Sequence, residues 1–216
     1  MTSDLIKAIL LEQIPPVGRA TAFYDFLNQA KVTDYDFLLQ LSGAPRKLGR
    51  QTPQYTEVQL KQLNEFEPAL GELTAGNLGR VLLAITCPNP SALHEVLLRG
   101  DDFEKAAVLI ALPFRSDAND FHLDVVNVCR TNSLDTYRAI AIDNPYPSRY
   151  FTDPEFNQLV LKVTFLGLEF ERIAHLEKRY NPELGKSLRF LYDERTAAGR
   201  TLPDTCLQFM KEKNLI

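Results

Sequence analysis

Apolar residues recur at spacings of three and four through almost the whole chain, alternation of two is nearly absent, and Pro, Asn and Gly return at intervals suited to helix ends. The pattern predicts an all-α protein. Leu5, Ile6, Ile9 and Leu10 form one face of a first helix, with Ser3 placed to cap it and Pro15-Pro16 to end it, because proline cannot continue the hydrogen-bond ladder. A second helix is expected through RATAFYDFLNQA. Thr33, with Asp36 three residues on, has the capping-box spacing that opens DYDFLLQL. Ser42 to Tyr55, SGAPRKLGRQTPQY, reads as the longest irregular segment, and Thr56 is placed to cap the next helix.

Pro68 and three glycines interrupt the periodicity between Glu67 and Arg80, which predicts a soft boundary. The organisation expected is an N-terminal helical segment, 1–70, packed on a main helical-repeat domain, 71–216, the two making one continuous structural unit. Beyond the boundary, helices are expected at Leu78–Thr86, Pro90–Arg99 capped by Asn89, Phe103–Leu112 capped by Asp102, and Asp117–Cys129. Others are expected at Ser133–Asp143, Pro154–Leu166, Glu171–Lys178, Pro182–Ala198 and Asp204–Glu212. Several connections span only two to six residues, so neighbours are expected to be antiparallel. Such a succession predicts an irregular α-α superhelix, a HEAT- or armadillo-like stack of helix hairpins, although no repeat fingerprint is present.

The junction NPYPSRYFTDPEF, from Asn144, leads into the helix NQLVLKVTFLG. Thr152 and Glu155 match a capping box, Phe151 and Phe156 match the apolar staple that braces it, and Pro154 sits in the first turn, where its missing donor costs nothing. Apolar side chains surround most of this helix, leaving Gln158 and Lys162 as an i,i+4 polar pair with Asn157 to one side. A helix apolar nearly all round is expected in the middle of a protein. An ammonium there needs a carboxylate, a phosphate or water, so Lys162 either closes an internal ion pair or faces a cavity; snorkelling to solvent is the third option. Upstream, Asn132 with Asp135 reads as a cap and Asn144-Pro145 as a turn. The functional reading places Arg130, Asn132 and Asn144 in one polar pocket with Lys162.

The 216 residues carry 24 Lys and Arg against 28 Asp and Glu, a net charge of -4 that argues against a dedicated nucleic-acid binder. Three distant cysteines, Cys87, Cys129 and Cys206, read as reduced, mostly buried thiols of a cytoplasmic protein. The first residues lack the basic start and cleavage site of a signal peptide, and the longest apolar runs are too short to span a bilayer. HEVLL at His94 has Leu98 where a zinc protease needs its second histidine, and the remaining histidines are scattered, so no metal site is expected. No phosphate-binding loop or nucleophile elbow occurs, and no cofactor or catalytic residue is assigned. Arg46, Lys47 and Arg50 offer a basic cluster for an anion or acidic partner, with a solvated loop cluster as the alternative.

Together, APR at Ala44, GRVLLAI at Gly79, LLRGDDFEKAAVLIALPF at Leu97, RTN at Arg130, NPYP at Asn144, YF at Tyr150 and NQLVLKVTF at Asn157 resemble the EboA family. The resemblance runs from about Ala44 to Pro203. It implies a small cytoplasmic helical protein encoded in bacterial clusters for metabolite traffic, acting beside a membrane prenyltransferase of the UbiA type, a TatD-like hydrolase and sugar-isomerase-like partners. It implies passage of a secondary-metabolite precursor toward the periplasm, membrane association only through a partner, and no known reaction for this component. Arg46, Arg130, Asn132, Asn144, Tyr146, Asn157 and Lys162 are the polar or amphipathic members of the matching motifs, and Gln158 joins them by position. The expected role is a non-catalytic binding or adaptor module for an anionic or prenylated small molecule or a cluster partner. Two alternatives stay open: a pathway enzyme using Lys162 as base, anion holder or Schiff-base amine, and a purely structural interaction module.

Overall fold

The structure, a computed structural model, describes residues 1–29, 31–63 and 66–216, and of Glu67 and Pro68 only the backbone. Among the described residues there are fifteen α-helices, several 3-10 turns and no strand, as the periodicity predicts. They form two compact units, Met1–Ala139 and Ile140–Ile216. The glycine-rich stretch near residue 70, expected as a boundary, lies inside the first unit.

The first unit contains α1 (Thr2–Gln13), α2 (Thr21–Leu27), α3 (Asp34–Leu48), α4 (Glu57–Leu63), α5 (Glu67–Gly71) and α6 (Ala75–Thr86). After these come α7 (Pro90–Arg99), α8 (Asp102–Ala111), α9 (His122–Val128) and most of α10 (Leu134–Ala141). Helix α6 packs on α1, α3 and α8. Its sequence allows a very close approach: a Cβ on Gly76 would lie 2.5 Å from Pro45 Cα, and one on Gly79 2.3 Å from Leu48 Cδ1. Backbone bonds from Ala75 to Gln51 (2.7 Å) and from Gly76 to Gly49 (3.0 Å) tie the start of α6 to the residues after α3.

Ser42–Leu48, expected to be irregular, is the second half of α3, with Pro45 inside the helix. The physical reason lies on α6. Pro45 has no N–H for the Leu41 carbonyl, and the buried Arg80 donates to that oxygen from Nε at 3.0 Å, while its Nη1 donates to Asn77 Oδ1 at 3.2 Å.

Capping assignments divide. Thr33 accepts from Asp36 N, Thr56 and Gln59 exchange side-chain-to-backbone bonds, and Thr152 with Glu155 completes its capping box, as expected. Three caps differ. Helix α1 starts after Met1, without a bond from Ser3; α8 is capped by Asp101 in a box with Glu104, not by Asp102; and Asn89 stands at the N-cap of α7 as expected but without a side-chain cap bond, its Nδ2 donating to Val32 O. At α10 the local cap is Ser133, whose Oγ accepts from Thr136 N at 3.4 Å; Asn132 is exposed.

The second unit holds α11 (Tyr146–Tyr150), α12 (Asp153–Leu166), α13 (Leu176–Arg179), α14 (Pro182–Ala197) and α15 (Asp204–Glu212). Asn144 makes the expected turn, its Oδ1 accepting from Tyr146 N at 2.9 Å. Arg179 then clasps the junction that leads into α12. Its guanidinium donates to the carbonyls of Pro147, Ser148 and Phe151 and to Asp153 Oδ1, and lies 4.7 Å from the Phe156 ring centroid.

Candidate functional site

Helix α12 is not buried all round, which corrects the expectation drawn from its apolar wheel. Phe156, Asn157, Leu159, Val160, Val163 and Thr164 face inward, whereas Phe165 is 60% exposed and Lys162 half-buried. Helix α14 packs beside it and leaves an open groove of about 660 Å³, lined by Gln158, Leu161, Lys162 and Phe165 from α12 and by Lys186, Ser187, Phe190 and Leu191 from α14. Lys162 therefore lines a cavity at the surface of this unit.

Two contacts fix the register of the helices. Near their N-termini Asn157 and Asn181 exchange amide hydrogen bonds of 3.0 and 3.1 Å, and Asn181 also caps α14 by accepting from Leu184 N. Towards their C-termini Arg195 Nη2 donates to the Phe165 carbonyl at 2.9 Å, with its guanidinium 4.5 Å from the Phe165 ring centroid. The pair is therefore parallel: the chain returns through residues 167–181, which include α13, before α14 begins. Lys162 and Lys186 each stand five residues beyond the paired asparagines, about 7.5 Å along the axis at 1.5 Å per residue. Phe165 and Phe190 stand eight and nine residues beyond, at about 12–14 Å. The groove thus has a cationic level followed by an aromatic one. Phe190 is 73% exposed, a large aromatic on an otherwise polar face. Lys186 Nζ lies 2.7 Å from Glu183 in an exposed i,i+3 pair, a contact of little energetic weight.

Of the residues singled out in the sequence, Lys162 and Gln158 line this groove. Asn157 lies behind it, buried against Asn181. Asn144 and Tyr146 are buried in the junction, where Asn144 makes the turn and Tyr146 packs its ring against Tyr150 and Phe151. Arg130 belongs to the first unit and lines a cleft of about 370 Å³ with Leu97, Lys105, Asp124 and Asn127. Arg46 is exposed near the end of α3. Lys186, Phe190 and Arg195 escaped the sequence reading; the signal available was Phe190 with only polar residues, Lys186, Ser187, Asp193 and Glu194, three and four positions to either side. Among the described residues no three His, Cys, Asp or Glu side chains converge as a metal set, and no helix is long and apolar enough to cross a membrane.

A family model described as metabolite traffic protein EboA matches residues 22–211. No curated protein and no solved structure matches the chain.

Proposed function

The chain belongs to the EboA family of metabolite traffic proteins, and we propose that it is a non-catalytic helical binding and adaptor protein that holds a secondary-metabolite precursor on its way toward the periplasm. The observation that carries this reading is the α12–α14 groove, where two lysines and two exposed phenylalanines stand on facing helices. Its volume lies within the range of small-molecule sites, about 300–1,000 Å³. An adaptor of this kind works in the cytoplasm beside cluster-encoded proteins, a membrane prenyltransferase among them, and reaches the membrane through that partner. Arg130 and Arg46, on the other unit, are the residues we assign to partner contact, since both side chains are exposed.

The test is native mass spectrometry of the protein purified from cells that also express the neighbouring genes. A small molecule is expected to accompany the wild type and to be lost from F165D/F190D, whose helical circular dichroism should be unchanged because both rings are exposed. Retention of the molecule by that variant, or its absence from the wild type, would sink the proposal.

A further inference from the structure

We infer that the α12–α14 groove selects one ligand class, an amphipathic anion whose charged head sits between Lys162 and Lys186 and whose apolar part lies along Phe165 and Phe190. This rests on the groove being the binding site proposed above and adds the chemistry it recognises. The argument is the separation of levels. Starting from the Asn157–Asn181 pair, both helices place their lysines at one height and their phenylalanines about one turn further on. Both lysines line the groove, and an anionic head placed at their level is attracted by two positive charges at once. The exposed Glu183 leaves Lys186 able to turn toward such a head, because solvent-exposed pairs hold their side chains weakly.

The aromatic level is lined differently. Leu161 and Leu191 extend its apolar surface, and Arg195 fixes Phe165 in place by bonding its carbonyl and covering its ring. The Arg195 guanidinium over that ring marks the far end of the apolar stretch. A hydrophilic anion would meet the lysines but leave the phenylalanines wet; a neutral hydrocarbon would cover the rings but gain nothing from the lysines. Only a molecule with both parts answers both levels.

Isothermal titration of the full chain tests this with three probes: decyl phosphate, decyltrimethylammonium and inorganic phosphate. Decyl phosphate is expected to bind at least about tenfold more tightly than either of the others, and K162E/K186E is expected to reverse the preference between the two decyl probes. Near-unchanged circular dichroism keeps that variant interpretable. Equal affinity for the two decyl probes, or a preference unmoved by K162E/K186E, overturns the ligand class. If a metabolite nevertheless co-purifies and is lost from F165D/F190D, the carrier reading survives that failure. Conversely, decyl phosphate behaving as expected with no metabolite ever co-purifying upholds the ligand class and removes the carrier reading. Failure of every decyl probe, with a cross-linker at residue 190 joining the chain to a cluster-encoded protein, overturns the inference in favour of a protein partner.

Discussion

Pro45 leaves the Leu41 carbonyl without its usual intrahelical donor, and Arg80 supplies one from another helix at 3.0 Å. The guanidinium bears a cost for this: burial lowers its pKa, while Asp101 and Glu104 act in the opposite sense. Because the bond compensates a specific defect, its worth should depend on that defect. R80M, which keeps most of the stem, is expected to lose about 2 kcal/mol by urea unfolding, the scale for removing a charged donor from a buried carbonyl. In a P45A background the restored backbone N–H at position 45 can satisfy Leu41, so the same substitution should cost at least about 1 kcal/mol less. Equal costs in the two backgrounds would show that Arg80 acts through something other than the proline. The same pair explains one misreading of the sequence. Ser42–Tyr55 looks irregular because proline and glycine are strong local breakers, whereas the compensating side chain stands 39 residues from the carbonyl it serves.

Between elements, α6 lies very close to the end of α3, and its two glycines face different kinds of atom. A methyl at Gly76 meets the backbone of residue 45 at 2.5 Å and the Gly49 oxygen at 2.9 Å; at Gly79 the nearest atom is the movable end of Leu48. Gly76→Ala is therefore expected to destabilise by about 3 kcal/mol and Gly79→Ala by roughly 1 kcal/mol, after the helix-propensity gain of alanine is included. Thermal and urea unfolding of the two variants checks the order, and the reverse order would mean that α3 yields more readily than the Leu48 side chain. Element existence was largely legible for a related reason. The caps at Thr33, Thr56 and Thr152 are local patterns closed within three residues, so sequence contains both partners. The cap of α8 slipped by one residue because Asp101 and Asp102 are adjacent and only Asp101 has Glu104 three positions on. Direction follows from the connections: residues 167–181, with α13 among them, carry the chain back, so α14 runs parallel to α12.

Across the molecule, the groove was half legible. Lys162 and Gln158 stand out as polar positions on an apolar helix, while Lys186 and Phe190 look ordinary until Asn157 and Asn181 set the register of the two helices. Buried protonated groups occur in both units, and their effect on stability can be given a sign. In the first, Tyr24 donates to the Ile14 carbonyl and Tyr55 to the Leu70 carbonyl, and burial pushes each phenol from its usual 10.0 up to about 12. In the second, burial pushes the Cys206 thiol from 9.0 up to about 11, a shift opposed by its hydrogen bond with Thr164. All three raised values mean that the folded chain keeps protons which the unfolded chain releases at lower pH. The unfolded state then binds fewer protons, so stability must fall as pH rises. The contribution is complete below pH 9 and disappears between about 9 and 12. Thermal melts followed by circular dichroism should show a transition temperature at pH 10.5 at least roughly 4 °C below that at pH 8. Y24F/Y55F separates this effect from general alkaline repulsion: its melting temperature at pH 8 should be lower, since two hydrogen bonds are lost, but its decline above pH 9 should be shallower. A variant whose decline is as steep as the wild type's would assign the alkaline loss to groups other than these phenols.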